Sequence, residues 1–299
     1  MYFFTIPLVS MISFALIAPS LANALSTTFH DNDADISNTV SAFQAALGHP
    51  DNGSAPGPLA NGRRQINWDA GIVPFRMPGD FFNERVTRGA VFSTPNQSQF
   101  RVSNDGFDNE FDTINATYPD QFDTFSAPRL FTPFDTNVLN VNFFVSGTNI
   151  PATVSGFGAI FTDVDLPDST KLDFFDTQGQ SLLSLYAPTN PQGLSFIGAT
   201  FSTKRVGRVQ ITTGNTTIGP NDDPSNGVDV VVLDDFLYSE PQPVPEPATL
   251  LLLGTGIVGI GLWKRKTRAI HTSMIRADIQ KSHQDEVAPC CIYSSSQYS

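Results

Sequence analysis

The densest chemistry in this sequence is acidic. Asp163, Asp165 and Asp168 crowd the end of an apolar run, and Asp234 and Asp235 stand near the end of the most apolar run of the chain. Side chains two apart on an extended chain project to the same side, so Asp163 and Asp165 face one way. If the strands carrying the two groups pair, the four carboxylates could converge on one cation. Ca²⁺, which takes six to eight oxygen ligands in irregular geometry, suits such a set. The structural alternative has Asp at 163–168 capping a turn and Asp234 or Asp235 in a salt bridge to Arg205 or Arg208. Two other acidic stretches are weaker. Asp31-Asn32-Asp33-Ala34-Asp35 begins like an EF-hand loop, but Ile36 holds the Gly position and Ala42 the Glu position, so the match fails. Asn104-Asp105-Gly106 with Asp108, Glu110 and Asp112 reads either as a weak cation loop or as a solvated turn.

Catalytic constellations are scarce. Between residues 25 and 247 the only histidines are His30 and His49, both in N-terminal segments read as loops. The nearest approach to G-x-S-x-G is Gly193-Leu194-Ser195-Phe196, where Ile197 replaces the second Gly. Glycoside hydrolysis needs only two carboxylates, so a secreted hydrolase stays open as a minor alternative. The expectation is a protein that is not an enzyme. Trp68, close in sequence to Phe75, Phe81 and Phe82, is a candidate for stacking on a sugar ring, against the competing reading of an aromatic core.

Strands must position these groups. Leu139, Val141, Phe143 and Val145 alternate with Asn140, Asn142 and Phe144, which predicts a half-buried strand. Further strands are expected over 157–164, 171–175, 181–186, 194–201, 205–212 and 228–238. The turn Asp176-Thr177-Gln178-Gly179 joins two of them, with Gly179 able to take positive φ. Val209 and Ile211 face opposite to Arg208, Gln210 and Thr212, while 230–233 is apolar on both parities, as in a strand covered on both faces. Ahead of the strands, residues 25–35 are polar. Asp35 is placed as a helix N-cap before Ile36, Val40, Phe43 and Leu47, which recur at helical spacing. Residues 48–64, rich in Gly, Pro and Asn, read as a long loop. The sum is an all-β fold: an antiparallel, jelly-roll-like β-sandwich over 66–240, preceded by a helix and loop region over 25–65.

The termini decide where such a domain resides. Residues 6–18 are apolar, and Ala22 and Ala24 form the small-x-small pattern of a signal-peptidase site, so 1–24 is expected to be a signal peptide, although it carries no Lys or Arg. Pro241, Pro243, Pro245 and Pro247 make a stiff stalk over 241–247. Residues 248–263 are uncharged and mostly apolar and run into Lys264, Arg265, Lys266 and Arg268, so 248–268 reads as a short C-terminal transmembrane helix with its basic end in the cytoplasm. Sixteen helical residues rise only ~24 Å against a hydrocarbon core of ~30 Å, so the flanks must snorkel or the bilayer must thin. Gly254-Thr255-Gly256-Ile257-Val258-Gly259 inside it matches G-x-G-x-x-G but lacks the strand and βαβ unit of a dinucleotide site, and offers small residues for helix packing instead. Residues 269–299 read as a disordered tail holding both cysteines, Cys290 and Cys291, which leaves the exported part without disulfides or thiolate ligands. Residues 25–247 carry 11 Lys/Arg against 26 Asp/Glu, a net charge of −15. That charge repels nucleic acid and anionic membrane surfaces.

Val244-Pro245-Glu246-Pro247-Ala248-Thr249, an apolar helix with scattered Gly, then Lys264, Arg265, Lys266 and Arg268, together resemble the PEP-CTERM sorting signal. The resemblance implies handling by an exosortase, a membrane transpeptidase-like enzyme, near the Pro-Glu-Pro motif, in bacteria that make extracellular polysaccharide. Members of that family usually end soon after the basic cluster, whereas this chain continues to Ser299. Residues 154–238 are also similar to a domain common among exported PEP-CTERM proteins, which opens on a strand like that from Gly156 to Asp165 and closes on one like that from Asp234 to Tyr238. The resemblance brings no established activity, and fold does not supply one. The expectation is an exported, membrane-anchored, then surface or extracellular β-sandwich protein. It is associated with the cell envelope or exopolysaccharide matrix, with glycan binding as its candidate activity. A protein-binding surface module is the alternative.

Overall fold

The alternation of Leu139, Val141 and Phe143 with Asn140 and Asn142 becomes, in the computed structural model, a strand whose apolar positions are buried and whose polar positions are half-exposed. The structure describes residues 25–244 apart from 98, 105, 107 and 108. The cleavage site at Ala22 and Ala24, the motif residues Pro245, Glu246, Pro247, Lys264, Arg265, Lys266 and Arg268, the anchor helix and the tail lie outside the described residues.

The strands in chain order are β1 Ser26–Asp31, β2 Arg63–Ile66, β3 Arg76–Met77, β4 Ala90–Ser93, β5 Phe100–Val102, β6 Phe131–Pro133, β7 Val138–Phe143 and β8 Ala152–Thr153. They continue as β9 Gly156–Val164, β10 Lys171–Phe175, β11 Ser181–Tyr186, β12 Asn190–Phe201, β13 Arg208–Thr212, β14 Val232–Ser239 and β15 Gln242–Pro243. All the paired strands are antiparallel. One eight-stranded sheet runs β1-β12-β9-β14-β6-β5-β3, with β2 also on β14, and a five-stranded sheet runs β11-β10-β13-β7-β4. The apolar alternates of both sheets, among them Val141, Phe174 and Val209 from one and Phe157, Phe161 and Phe236 from the other, share one core. The architecture is therefore all-β and sandwich-like.

β9 and β14 are buried along their whole lengths, because the larger sheet is covered on both sides. Its inner side meets the five-stranded sheet. Its outer side meets helix α1, Ser37–Leu47, whose Val40, Phe43 and Leu47 pack on Ile160, Phe196 and Leu237. Gly158 and Gly198 are register partners on β9 and β12, and a Cβ on either would come within 2.9 Å of the Phe43 ring. Those two glycines let the helix sit close. A second patch of the outer side is covered by Phe111, Tyr118, Phe122, Leu130 and Ile218, against Val230 and Val232.

Three local expectations shift. The polar stretch ahead of the helix holds β1, an edge strand paired along its length with β12. An edge strand draws on backbone ladder bonds and one covered side chain, here Phe29 against Phe43 at 5.1 Å, so its apolar signal is faint. The segment 25–65 thus supplies β1 and β2 to the sandwich instead of merely preceding it. The helix begins at Ser37 with Ile36 in the cap position, while the Asp35 carboxylate accepts the Ser37 N–H at 2.9 Å. At the far end Gln242–Pro243, within the expected stalk, pairs with β8 in a two-residue ladder.

Candidate functional site

β9 ends at Val164 with Asp163 already in left-handed backbone, φ 65°, and the chain turns out through Asp165. The loop that precedes β14 returns Asp222 to the same place. One carboxylate oxygen from each of Asp163, Asp165 and Asp222 lies within 4.8 Å of the others. Asp163 is 2 % exposed, with Oδ1 accepting the Gln192 N–H at 2.8 Å. An oxygen of Asp222 accepts the Val230 N–H at 3.1 Å. Asp163 Oδ2 and Asp222 Oδ2 are buried with no hydrogen-bond partner. Asp229 stands beside them but is engaged: its oxygens accept the N–H groups of Asp165 and Leu166 and the Ser169 hydroxyl, which pins the loop. Burial first, then the charges of Asp165 and Asp222, push Asp163 up to about 7. Burial and the charges of Asp222 and Asp229 push Asp165 up to about 6. The pair Asp163 and Asp165 was legible from spacing. Asp222 was not, because it sits in a run of Asn, Asp, Pro and Ser indistinguishable from an ordinary turn.

The expected convergence with Asp234 and Asp235 does not occur. β9 and β14 do pair, but antiparallel register sets Leu233 against Phe161 and Phe236 against Ala159, so the two Asp lie in a bulge well down the strand from Asp163. There they form a separate buried network. Asp234 accepts the N–H groups of Phe125 and Ser126 and the Ser126 hydroxyl, and Asp235 accepts the Ser126 hydroxyl and the Gln65 amide. The alternative salt bridge fails as well: these carboxylates are spent on Ser126 and Gln65, while Arg208 donates to Asn140 Oδ1 at 2.6 Å. Burial, then the adjacent carboxylate, holds Asp234 well above the usual carboxylate range.

Trp68 is not a stacking platform for a ligand. It is 1 % exposed, stacked on Phe131 at 4.0 Å, and its indole N–H donates to the Asp234 carbonyl at 2.7 Å. The ring packs against Phe82, Phe92, Phe131 and Phe236 in the core. Ser195 is likewise buried, its hydroxyl donating to the Pro188 carbonyl.

The open face of the five-stranded sheet is built differently. Its outward alternates form rows across the strands: Ser184, Asp173, Gln210, Asn140 and Ser93 in one, and Phe175, Arg208 and Asn142 in the next. Arg208 lies over the Phe175 ring at 3.9 Å, and Arg208 and Gln210 both donate to Asn140 Oδ1. Lys171 pairs with Asp173 at 2.9 Å, and Tyr186, half-exposed, flanks Lys171. Beside the second row a pocket of about 410 Å³ is lined by Asn142, Phe144, Asp176, Thr177, Gln178 and Arg208 among others. The face thus carries planar amide, carboxylate and guanidinium groups beside the Phe175 ring, much of their hydrogen bonding directed at one another.

The described chain ends at Val244, immediately before Pro-Glu-Pro, the apolar run and the basic cluster. Residues 243–266 match the family model of the PEP-CTERM protein-sorting motif. The PEP-CTERM motif indicates export and C-terminal membrane anchoring. The matched range shares only residues 243 and 244 with the described part of the chain, so it speaks to destination and leaves the activity of the sandwich to the geometry above. No curated protein matches the chain. A solved structure of TmCBM61 in complex with beta-1,4-galactotriose aligns over 58 % of this chain and 99 % of that one, at 15 % identity and a TM-score of 0.28. A score of that size carries no argument about fold or ligand.

Proposed function

We propose that this is a non-catalytic protein of the cell surface or extracellular matrix, released or held there after exosortase handling, whose sandwich binds polysaccharide across the open face of its five-stranded sheet. The rows of Gln210, Asn140, Arg208 and Asn142, with Phe175 and Tyr186 beside them, carry this reading. Vicinal hydroxyls suit the paired donors and acceptors of planar side chains, and the C–H face of a sugar suits an aromatic ring. The fold is read as jelly-roll-like on strand order: β6-β14-β9-β12 faces β7-β13-β10-β11, and the chain crosses repeatedly between the two sheets.

Calorimetric titration of the full-length protein in detergent against a broad polysaccharide panel, including the producing cell's own, is the test. Binding is expected, and Gln210→Ala or Asn142→Ala should weaken it by about tenfold while the melting temperature stays within the range of surface substitutions. Absence of binding across the panel overturns the reading, and release of reducing sugar from a bound polysaccharide overturns its non-catalytic half. A protein partner is the second reading, favoured by Tyr186, which is 50 % exposed at the rim of that face.

A further inference from the structure

We propose that Asp163, Asp165 and Asp222 bind one Ca²⁺ ion at the end of β9. The acidic cluster alone would not carry this, since solvated carboxylates gather on many surfaces. The second observation is the state of its buried oxygens. Asp163 is almost fully buried, one of its oxygens is held by the Gln192 N–H, and no donor reaches the other. Asp222 repeats the pattern, with one oxygen on the Val230 N–H and a buried Oδ2 without a donor. A buried acceptor left without a partner is destabilising, and a buried anion more so. No cationic side chain answers these: the ion pairs among the described residues are Arg64 with Glu240 and Lys171 with Asp173.

Two things could occupy the gap, a proton shared between Asp163 and Asp222 or a cation bound by all three carboxylates. The cation accounts for more of the arrangement. Asp165 joins the cluster without any need for it in a two-carboxyl pair, and Asp229 spends its carboxylate on the backbone of Asp165 and Leu166 and on the Ser169 hydroxyl. The donors are all hard oxygens, with no His or Cys among them, which selects against the softer transition metals. Three carboxylates converging from a strand end and two loops form no regular octahedron, a condition Ca²⁺ tolerates and Mg²⁺ does not. Asp165 and Asp222 are half-exposed, so water can complete the shell. The site is independent of the polysaccharide face, and either reading can fail without the other.

The experiment is titration of the full-length protein in detergent, stripped with chelator, with Ca²⁺ and separately Mg²⁺, read by calorimetry and by melting temperature. A dissociation constant on the order of 10⁻⁴–10⁻³ M, as in extracellular calcium modules, is expected, with a rise in melting temperature for Ca²⁺ that Mg²⁺ does not match. Asp165→Asn, at a half-exposed position that the fold should tolerate, is expected to weaken binding about tenfold or more, since one ligand charge is lost. No heat and no thermal shift up to about 10 mM, ten times the weakest such sites, overturns the proposal. So does a shift that survives undiminished in Asp165→Asn and Asp163→Asn. An Asp163→Asn protein more stable than wild type, with Ca²⁺ inert on both, would assign the shared proton instead.

Discussion

Asp234 sits where a carboxylate charge is disfavoured. It is fully buried and adjacent to Asp235, which in turn feels the charge of Asp69, whose carboxyl burial also raises. Its compensation is hydrogen bonding from Phe125, Ser126 and the Ser126 hydroxyl. The folded protein therefore holds this proton to higher pH than the unfolded chain, whose Asp titrates near ~3.9. The sign follows: stability from this group is present in full below about pH 4 and is lost as pH rises through its raised folded value. Asp234→Asn keeps an acceptor for both backbone N–H groups and removes the charge. Melting temperatures from pH 4 to 8 are expected to fall less steeply for Asp234→Asn than for wild type, with the two curves meeting toward the acid end. Parallel curves would contradict this account. The sequence showed two acids in an apolar run but not their seclusion, because burial here depends on the loop carrying Phe125 and Ser126 closing over them.

The helix α1 belongs to the next scale. Its apolar spacing announced a helix with one buried face, and Val40, Phe43 and Leu47 are that face. What the spacing did not announce is the surface prepared for it, Gly158 opposite Gly198 on the middle strands of the larger sheet. A methyl at Gly158 would lie 2.7 Å from Phe43 Cε1 and 3.0 Å from Phe196 Cζ, and both rings are fully buried. Neither can swing aside. Gly158→Ala is expected to destabilise the domain by about 1–3 kcal/mol, measured as the denaturant midpoint at unchanged slope. Gly71→Ala, where a methyl would meet nothing within 4 Å, is the matched control and should be near neutral. A destabilisation equal in both variants would show that crowding at Phe43 is not the cause.

Across the whole sandwich, one ion pair ties the loop over 48–64 to the chain's exit. Arg64 and Glu240 are both fully buried and meet through two parallel bonds, at 2.7 and 2.8 Å. Arg64 also donates to the carbonyls of Gly53, Ala55 and Thr87, and Glu240 accepts from Asn52 and the Leu59 N–H. This centre joins the backbone bonds of the loop itself, such as Asn52 N–H to the Arg63 carbonyl and Gly57 N–H to the Ser146 carbonyl, in ordering it. Glu240→Ala should lower stability by about 3–5 kcal/mol, because it strands a buried guanidinium, whereas replacing Arg64 and Glu240 together by Met and Leu should recover much of the loss. Thermal melts of the single and double variants decide it, and a double variant as unstable as the single would refute the account. Glu240 precedes the matched PEP-CTERM residues 243–266 by three positions in the chain, so this centre holds the last part of the sandwich. Mass spectrometry of the mature protein should place its N-terminus at Leu25 and its C-terminus near Pro245–Pro247. Retention of Met1 and Ser299 together would refute export with processing.

Sequence by itself determined whatever is written in short-range pattern. Strand alternation set which of Asn140, Val141, Arg208 and Val209 turn inward, helical spacing set α1, and the order of Pro-Glu-Pro, apolar run and basic cluster set the sorting segment. Each of these is a property of neighbours in the chain. Only the tertiary structure decided which acids meet. Asp222 reaches Asp163 through a loop whose path no periodicity encodes, Asp234 was carried away from Asp163 by antiparallel register, and Trp68 was drawn into the core because the interior had room for its ring and a carbonyl for its N–H. Contacts between residues far apart in sequence depend on register and volume, and these exist only once the sheets are assembled.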